Sequence, residues 1–331
     1  MIKTYKQAKE YLTDFYGVKL KRKPTPGSSY LKRMVQLMKL LGNPQNSFST
    51  VHIAGTSGKG STSLLISKIL RYAWYKTGLT ISPHLLSYRE RLQINNKNIS
   101  KYKFIKILNK IKPVLDNFNS KKYGQIRFML LAKAMSFIYF AQERVDIAVV
   151  ETGAGGRYDG TNVTKSIISV ITPIDYDHTS MLGKTLKQIA YNKAGIIKKN
   201  HIAAVSAKQR SSAGEEVRKT AKELKVKLYE ENKDFYIKIK KLTNRGVLFD
   251  FFSPDKNIAN IFCSLVGPHQ AHNAALAIKT ILELKNIGFV IKISHIKKAL
   301  YDSVYYGRFE INRVGKRFFN MWDFNHKSNI F

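Results

Sequence analysis

The sequence predicts an α/β fold, a parallel-type sheet flanked by helices, on three observations. Apolar runs rich in β-branched residues recur, "FSTVHIAG", "VDIAVVETG", "SIISVITPI" and "HIAAVSA", separated by helix-period stretches, the alternation that joins parallel strands by crossover helices. Gly55, Glu151 and the pair Asp177 and His178 each follow one of these runs, where open α/β sheets bind their ligands. One run also passes through a glycine-rich turn straight into a helix.

The elements follow in order. "MIKTYKQAKEYL" has no apolar core of signal-peptide length, and no segment approaches the roughly 20 apolar residues a membrane helix needs. No membrane partner is expected, and the expected location is the cytoplasm. The strand "FSTVHIAG" feeds the turn, and the helix "STSLLISKIL" then buries Leu64, Leu65 and Ile69. Between residues 228 and 266 the pattern shifts to short alternating strands with a turn at Asn244, Arg245 and Gly246, read as a small β-hairpin insertion. The helix "HNAALAIKTILEL" resumes the α/β pattern, and strand-like residues close the chain without internal repeats.

Of the 331 residues, 57 are Lys or Arg and 22 are Asp or Glu, a formal charge of +35. Such a charge raises the question of nucleic acid. The lysines, however, are scattered at spacings that suit solvated helix faces, with no basic arm and no stacking motif. The charge is therefore read as compositional bias that also favours a polyanionic substrate, without a nucleic-acid partner. Cys263 is the sole cysteine, so no intrachain disulfide and no cysteine zinc site can form. A monomer is the expected state.

The stretch "TVHIAGTSGKGSTSLL" carries the strongest chemistry. A glycine-rich turn opening a helix points successive backbone N–H groups at a phosphate, and the helix dipole adds to the attraction. Gly55, Thr56, Ser57, Gly58 and Gly60 form the cradle, Lys59 reaches the β- and γ-phosphates, and Ser61 or Thr62 offers a hydroxyl to a magnesium ion. The loop is a shorter variant of G-x-x-x-x-G-K-[ST]: position 53 is Ile, and Gly60 separates the lysine from the hydroxyls. An ordinary flexible turn would not need strand, three glycines, lysine and helix start in register. Glu151 ends the apolar strand "DIAVV", where a buried carboxylate asks for a partner such as a cation. Asp177 and His178 follow the next strand, where the imidazole could ligate a metal or cap a helix.

The motifs "LLGNPQ", "HIAGTSGKGST", "SPHLLSYRERLQINNKNIS", "VVETGAGGRYDGTNV", "DYDHTSMLGKTLKQIAYNKAGIIK", "LVGPHQAHNAALAI" and "YGRFE" resemble, in this order, the signatures of the folylpolyglutamate synthase and dihydrofolate synthase family within the ATP-dependent Mur-type ligases. The resemblance implies a Mur-ligase-like ATP-binding domain at residues 1–303. It implies ligation of L-glutamate to the carboxylate of a folate or dihydropteroate through an acyl phosphate, with ATP and two magnesium ions. By matching motifs, Ser82 and Glu151 correspond to ligands of one magnesium and His178 to a ligand of the other, with Ser61 as a further metal-facing hydroxyl. Lys193 matches a lysine that the family carries as a carbamate, next to Asn192 where the family usually has Glu. Lys59, Lys193 and His178 are the implied catalytic groups. Asn273 and Arg308 match residues that contact ATP.

Two departures stand out. Where the family has a hydroxyl and a carboxylate that position the pteroate end, the sequence reads "GQIRFMLLAKAMSF", with Arg127, Met129 and Leu130 in that region. The family also continues into a C-terminal Rossmann-like domain that closes over ATP and helps bind glutamate, whereas residues 304–331 hold only its opening. There "MWDFNHKSNIF" keeps Asp323, matched to an ATP contact, in step with the family pattern. The alternatives kept open are an ATP-binding remnant with little ligase activity and a related ligase for another carboxylate.

Overall fold

The computed structural model describes residues 1–16, 28–307, 310–314 and 317–321. The strands are β1 (Ser49–Ala54), β2 (Thr77–Thr80), β3 (Gln93–Ile94), β4 (Lys97–Asn98), β5 (Ile147–Glu151), β6 (Ser166–Ile171), β7 (Ala203–Ser206), β8 (Leu228–Glu230), β9 (Tyr236–Thr243), β10 (Gly246–Phe252), β11 (Ile258–Cys263), β12 (Glu310–Val314) and β13 (Arg317–Met321). The helices are α1 (Tyr5–Thr13), α2 (Ser28–Leu40), α3 (Lys59–Tyr72), α4 (Lys101–Asp116), α5 (Ser120–Tyr123), α6 (Phe128–Gln142), α7 (Thr179–Leu182), α8 (Leu186–Ala194), α9 (Ser211–Glu223), α10 (Pro268–Lys285) and α11 (Ile293–Tyr301).

The main sheet has eight strands in the order β4-β3-β2-β5-β1-β6-β7-β8. From β2 to β8 every neighbouring pair is parallel, and β3 and β4 add a short antiparallel edge. β1 lies between β5 and β6, and the chain leaves it by α3 to reach β2 on one side while β6, β7 and β8 build outward on the other. The end of β1 is therefore the point where the winding reverses, the crevice where open α/β sheets hold ligands.

Period-two alternation in the central strands serves two apolar layers. Val51, Ile53, Ile147, Val149, Ile168 and Val170 pack with α3, α10 and α11. On the opposite face, Ala148 and Val150 pack with α4 and α6, while Ala54, Ile171 and Ala204 pack with α8 and α9. The result is a three-layer sandwich with helices on both faces. Between the last two clusters runs a polar seam in which Thr50, His52, Thr161, Ser166, Ser169 and His201 are all buried.

The insertion differs from expectation in its first residues and in its strand number. Residues 228–230 join the main sheet as β8, parallel to β7, because an apolar strand edge at β7 is open to them. Beyond it stands a three-stranded antiparallel sheet, β11-β10-β9, whose tight turn falls at Asn244 and Arg245 as the sequence predicts. Among the described residues no helix is long and apolar enough to cross a membrane.

Candidate functional site

Gly55 leaves β1 with φ +153°, and a Cβ there would fall into the Thr172 hydroxyl and within 2.9 Å of the Thr172 carbonyl oxygen. Gly58 caps α3 with φ +80°, and its missing Cβ makes room for Asn273 Oδ1. Glycine is thus required at both positions by close approach as well as by φ. α3 starts at Lys59, so the amides of Lys59, Gly60 and Ser61 belong to the first turn, which has no intrahelical acceptors. The Thr62 hydroxyl is buried without a partner. Two loop amides are not available: Thr56 N and Ser57 N donate to Pro173 O at 2.8 and 3.3 Å. These two bonds staple the loop to the segment after β6 and leave the first-turn amides of α3 as donors for an anion.

Lys59 Nζ donates to the carbonyls of Gly55 and Thr56, each at 3.0 Å. Lys193 Nζ donates to the same Gly55 carbonyl at 2.6 Å. Burial, with the Lys59 charge alongside, lowers the Lys193 ammonium from 10.5 to about 7. Two amines thus converge on the end of β1, and one of them is close to neutral at physiological pH. Asn273, in the first turns of α10, is held by Gln270 at 3.0 Å and lies against Gly58. Tyr305 reaches Gly60 from the segment leading to Arg308. Arg308 and Asp323 themselves lie outside the described residues.

Glu151 ends β5 beside Ile53 of β1 and is 2% exposed. Its Oε2 accepts the Ser82 amide at 2.6 Å, so the structure brings together two residues expected to share a magnesium. Lys133 Nζ donates to the Glu151 carbonyl at 2.8 Å and to Thr80 Oγ1 at 3.3 Å, and burial lowers its pKa from 10.5 to about 8. His178 caps α7 with its side chain half exposed, and its Nε2 lies 3.5 Å from Asp177 Oδ1. Among the described residues no group of three His, Cys, Asp or Glu side chains forms a ready-made metal cage.

A cleft of about 340 Å³ opens beside these groups, lined by Arg127, Met129, Leu130, Lys133, Asp159 and His178 among others. The departing stretch after Gln125 therefore forms its wall. Asp159 builds the opposite wall: Oδ2 accepts the amides of Gly153 and Ala154 at 3.0 and 3.1 Å, and Oδ1 accepts the Thr161 amide at 2.9 Å and its hydroxyl at 2.6 Å. Neither Asp159 nor Lys133 is singled out by sequence reasoning. An Asp two residues ahead of a Thr in a Gly-rich turn is a recognisable local-bond signal, whereas a lysine inside "MLLAKAMSF" reads as an exposed charge.

Comparison with known proteins gives this arrangement a context. The Mur ligase middle domain matches residues 125–281. The dihydrofolate synthase/folylpolyglutamate synthase of Bacillus subtilis is 34% identical over 314 residues, 94% of this chain and 71% of that protein. A solved folylpolyglutamate synthase from Thermotoga maritima superposes with a TM-score of 0.85 at 33% identity, covering 96% of this chain and 70% of that one. An FPGS–AMPPCP–folate complex does so with a TM-score of 0.86 at 28% identity, covering 93% of this chain and 74% of that one. Identity of 34% over 94% of this chain and 71% of the Bacillus subtilis protein, with a fold shared along nearly the whole chain, leads to one conclusion: the chain belongs to the dihydrofolate synthase/folylpolyglutamate synthase family of ATP-dependent Mur-type ligases.

Proposed function

We propose that the chain uses ATP to join L-glutamate to the carboxylate of a folate or dihydropteroate. The observation that carries the reading is the convergence of Lys59 and Lys193 on the Gly55 carbonyl, beside a carboxylate-bearing strand end and a cleft. The related complex that holds AMPPCP and folate together supports both substrates.

A carboxylate resists amines because it is anionic and its oxygen leaves poorly. Transfer of the γ-phosphoryl group to that oxygen, with ADP departing, yields an acyl phosphate. The glutamate nitrogen then attacks the carbonyl carbon, phosphate leaves, and the amide nitrogen loses its proton. Lys59 would turn from its own loop carbonyls to the phosphates, while the first-turn amides of α3 and Asn273 fix the nucleotide. Near neutrality Lys193 can hold or release a proton, and its unprotonated amine can take up carbon dioxide as the carbamate the motif implies.

The donor set fits magnesium. Ser61, the unpartnered Thr62 hydroxyl, Glu151 and the Ser82 hydroxyl are hard oxygens, and magnesium commonly takes few protein ligands beside substrate phosphates. When bound, the ions neutralise charge on the transferring phosphoryl group. His178 stands at the cleft mouth, suited to the second ion. These residues all come from one copy, so the reading asks for no partner subunit. The single thiol, Cys263, is buried and free, in keeping with the cytoplasm.

Incubation with Mg-ATP, glutamate and tetrahydrofolate or dihydropteroate tests the reading by mass spectrometry. The expected product is heavier by one glutamyl unit. ATP consumption without that product would redirect the search to another carboxylate.

A further inference from the structure

His52 sits in the middle of β1 and is fully buried. It faces the polar seam between two apolar clusters, and its strand neighbours Val51 and Ile53 face the other layer. An aliphatic side chain would fill this position without polar atoms to satisfy. Instead His52 Nε2 lies 2.8 Å from Thr161 Oγ1, and Nδ1 is buried with no hydrogen-bond partner. Burying an imidazole with one bare nitrogen is costly, so the other nitrogen should have a use.

The hydrogen bonds give that use a direction. The Thr161 hydroxyl donates its one proton to Asp159 Oδ1, so its lone pair accepts from His52 Nε2–H. Asp159 in turn receives the amides of Gly153 and Ala154, two residues of the cleft wall that stand two and three positions after Glu151. Burial, with the charges of Lys198 and Lys133 nearby, lowers the imidazole pKa well below its usual value, so the ring carries a single N–H, and the Thr161 bond to Asp159 places it on Nε2. A continuous path thus runs from the sheet centre through Thr161 and Asp159 to the backbone that shapes the cleft.

We propose that His52 is a positioning residue for the cleft: its donor bond to Thr161 orients the Asp159 carboxylate, which fixes the Gly153–Ala154 backbone against the carboxylate substrate. The part of this concerning substrate rests on the ligase reading above. The part concerning the loop does not.

The test uses the whole chain with His52→Leu, which removes the donor, His52→Gln, whose amide N–H can take the place of Nε2–H, and Thr161→Val. Hydrogen exchange of the unliganded protein reports the loop. In His52→Leu and Thr161→Val the amides of Gly153 and Ala154 should exchange about tenfold faster, the scale of one lost hydrogen bond, with α3 amides unchanged. His52→Gln should restore most of the protection. In steady state the KM for tetrahydrofolate should rise about tenfold in His52→Leu with the KM for ATP within about twofold, and His52→Leu/Thr161→Val should be no worse than the worse single variant. Wild-type exchange at residues 153–154 in His52→Leu overturns the proposal, as does acceleration spread evenly over the sheet or a His52→Gln variant as impaired as His52→Leu. Should His52→Leu not fold, Thr161→Val and His52→Gln carry the same comparison. A wild-type chain that turns over no folate defeats the ligase reading while the exchange result still decides the relay.

Discussion

At Gly55, φ +153° and the Thr172 hydroxyl leave no space for a side chain. Gly55→Ala is expected to cost roughly 2–5 kcal/mol from overpacking and backbone strain together, and to weaken nucleotide binding by moving the loop off Pro173. Urea unfolding with parallel nucleotide titration checks both effects. An alanine variant of native stability would mean that the loop is not held where it is described. His201 gives a pH dependence. Its Nε2 and Nδ1 lie 2.8 and 3.2 Å from the Ser166 and Ser169 hydroxyls, and burial, with Lys198 nearby, lowers it from 6.5 to about 4. The unfolded chain therefore binds a proton that the folded one refuses. Stability from this group is present above pH 6.5 and is lost as pH falls toward 4, by about 3 kcal/mol at most. His201→Gln should flatten the urea midpoint between pH 6.5 and 4, leaving the residual slope that His52 contributes with the same sign.

Element by element, the legible strands are those with a local apolar pattern. β1, β5, β6 and β7 are apolar runs bounded by turn residues, so composition and period suffice. β2 is four residues of "TGLT", and β3 and β4 are two residues each. Such segments are strands only because a partner lies beside them, which no local pattern encodes. β8 was absorbed into the insertion for the same reason. The helix α10 joins the nucleotide loop to the small sheet: Asn273 touches Gly58 at one end, while farther along Lys279 is fully buried, 2.6 Å from Glu283 and 3.1 Å from Asp255, with its ammonium 3.7 Å from the Tyr229 ring centroid. Lys279→Met would leave Glu283 buried beside lost compensation and should cost about 3–5 kcal/mol. Adding Glu283→Gln should recover much of that loss. If the double variant is as unstable as the single one in chemical denaturation, the lysine matters for packing rather than for pairing.

Across the molecule, the phosphate loop is legible in the sequence because glycines, lysine and helix start fall at fixed spacings, a local signal with a mechanism, whereas Lys193 and Asn273 stand out only through the resemblance of their motifs to the family. Sequence reading passes over Lys133, Asp159 and Thr172, whose places depend on which strand lies next to which. Lys133 has the composition of a surface residue and the burial of a core one, decided by the Glu151 carbonyl and the Thr80 hydroxyl above it. The formal charge of +35 suits a site that gathers ATP and a polyanionic carboxylate through long-range attraction. The central claim is that the loop at the end of β1 drives glutamate ligation, and ADP release tests it most directly. With Mg-ATP, glutamate and tetrahydrofolate or dihydropteroate, the wild-type chain should release ADP only when all three substrates are present, and Lys59→Ala should reduce the rate by about a hundredfold or more. Release that Lys59→Ala leaves unchanged would contradict the account.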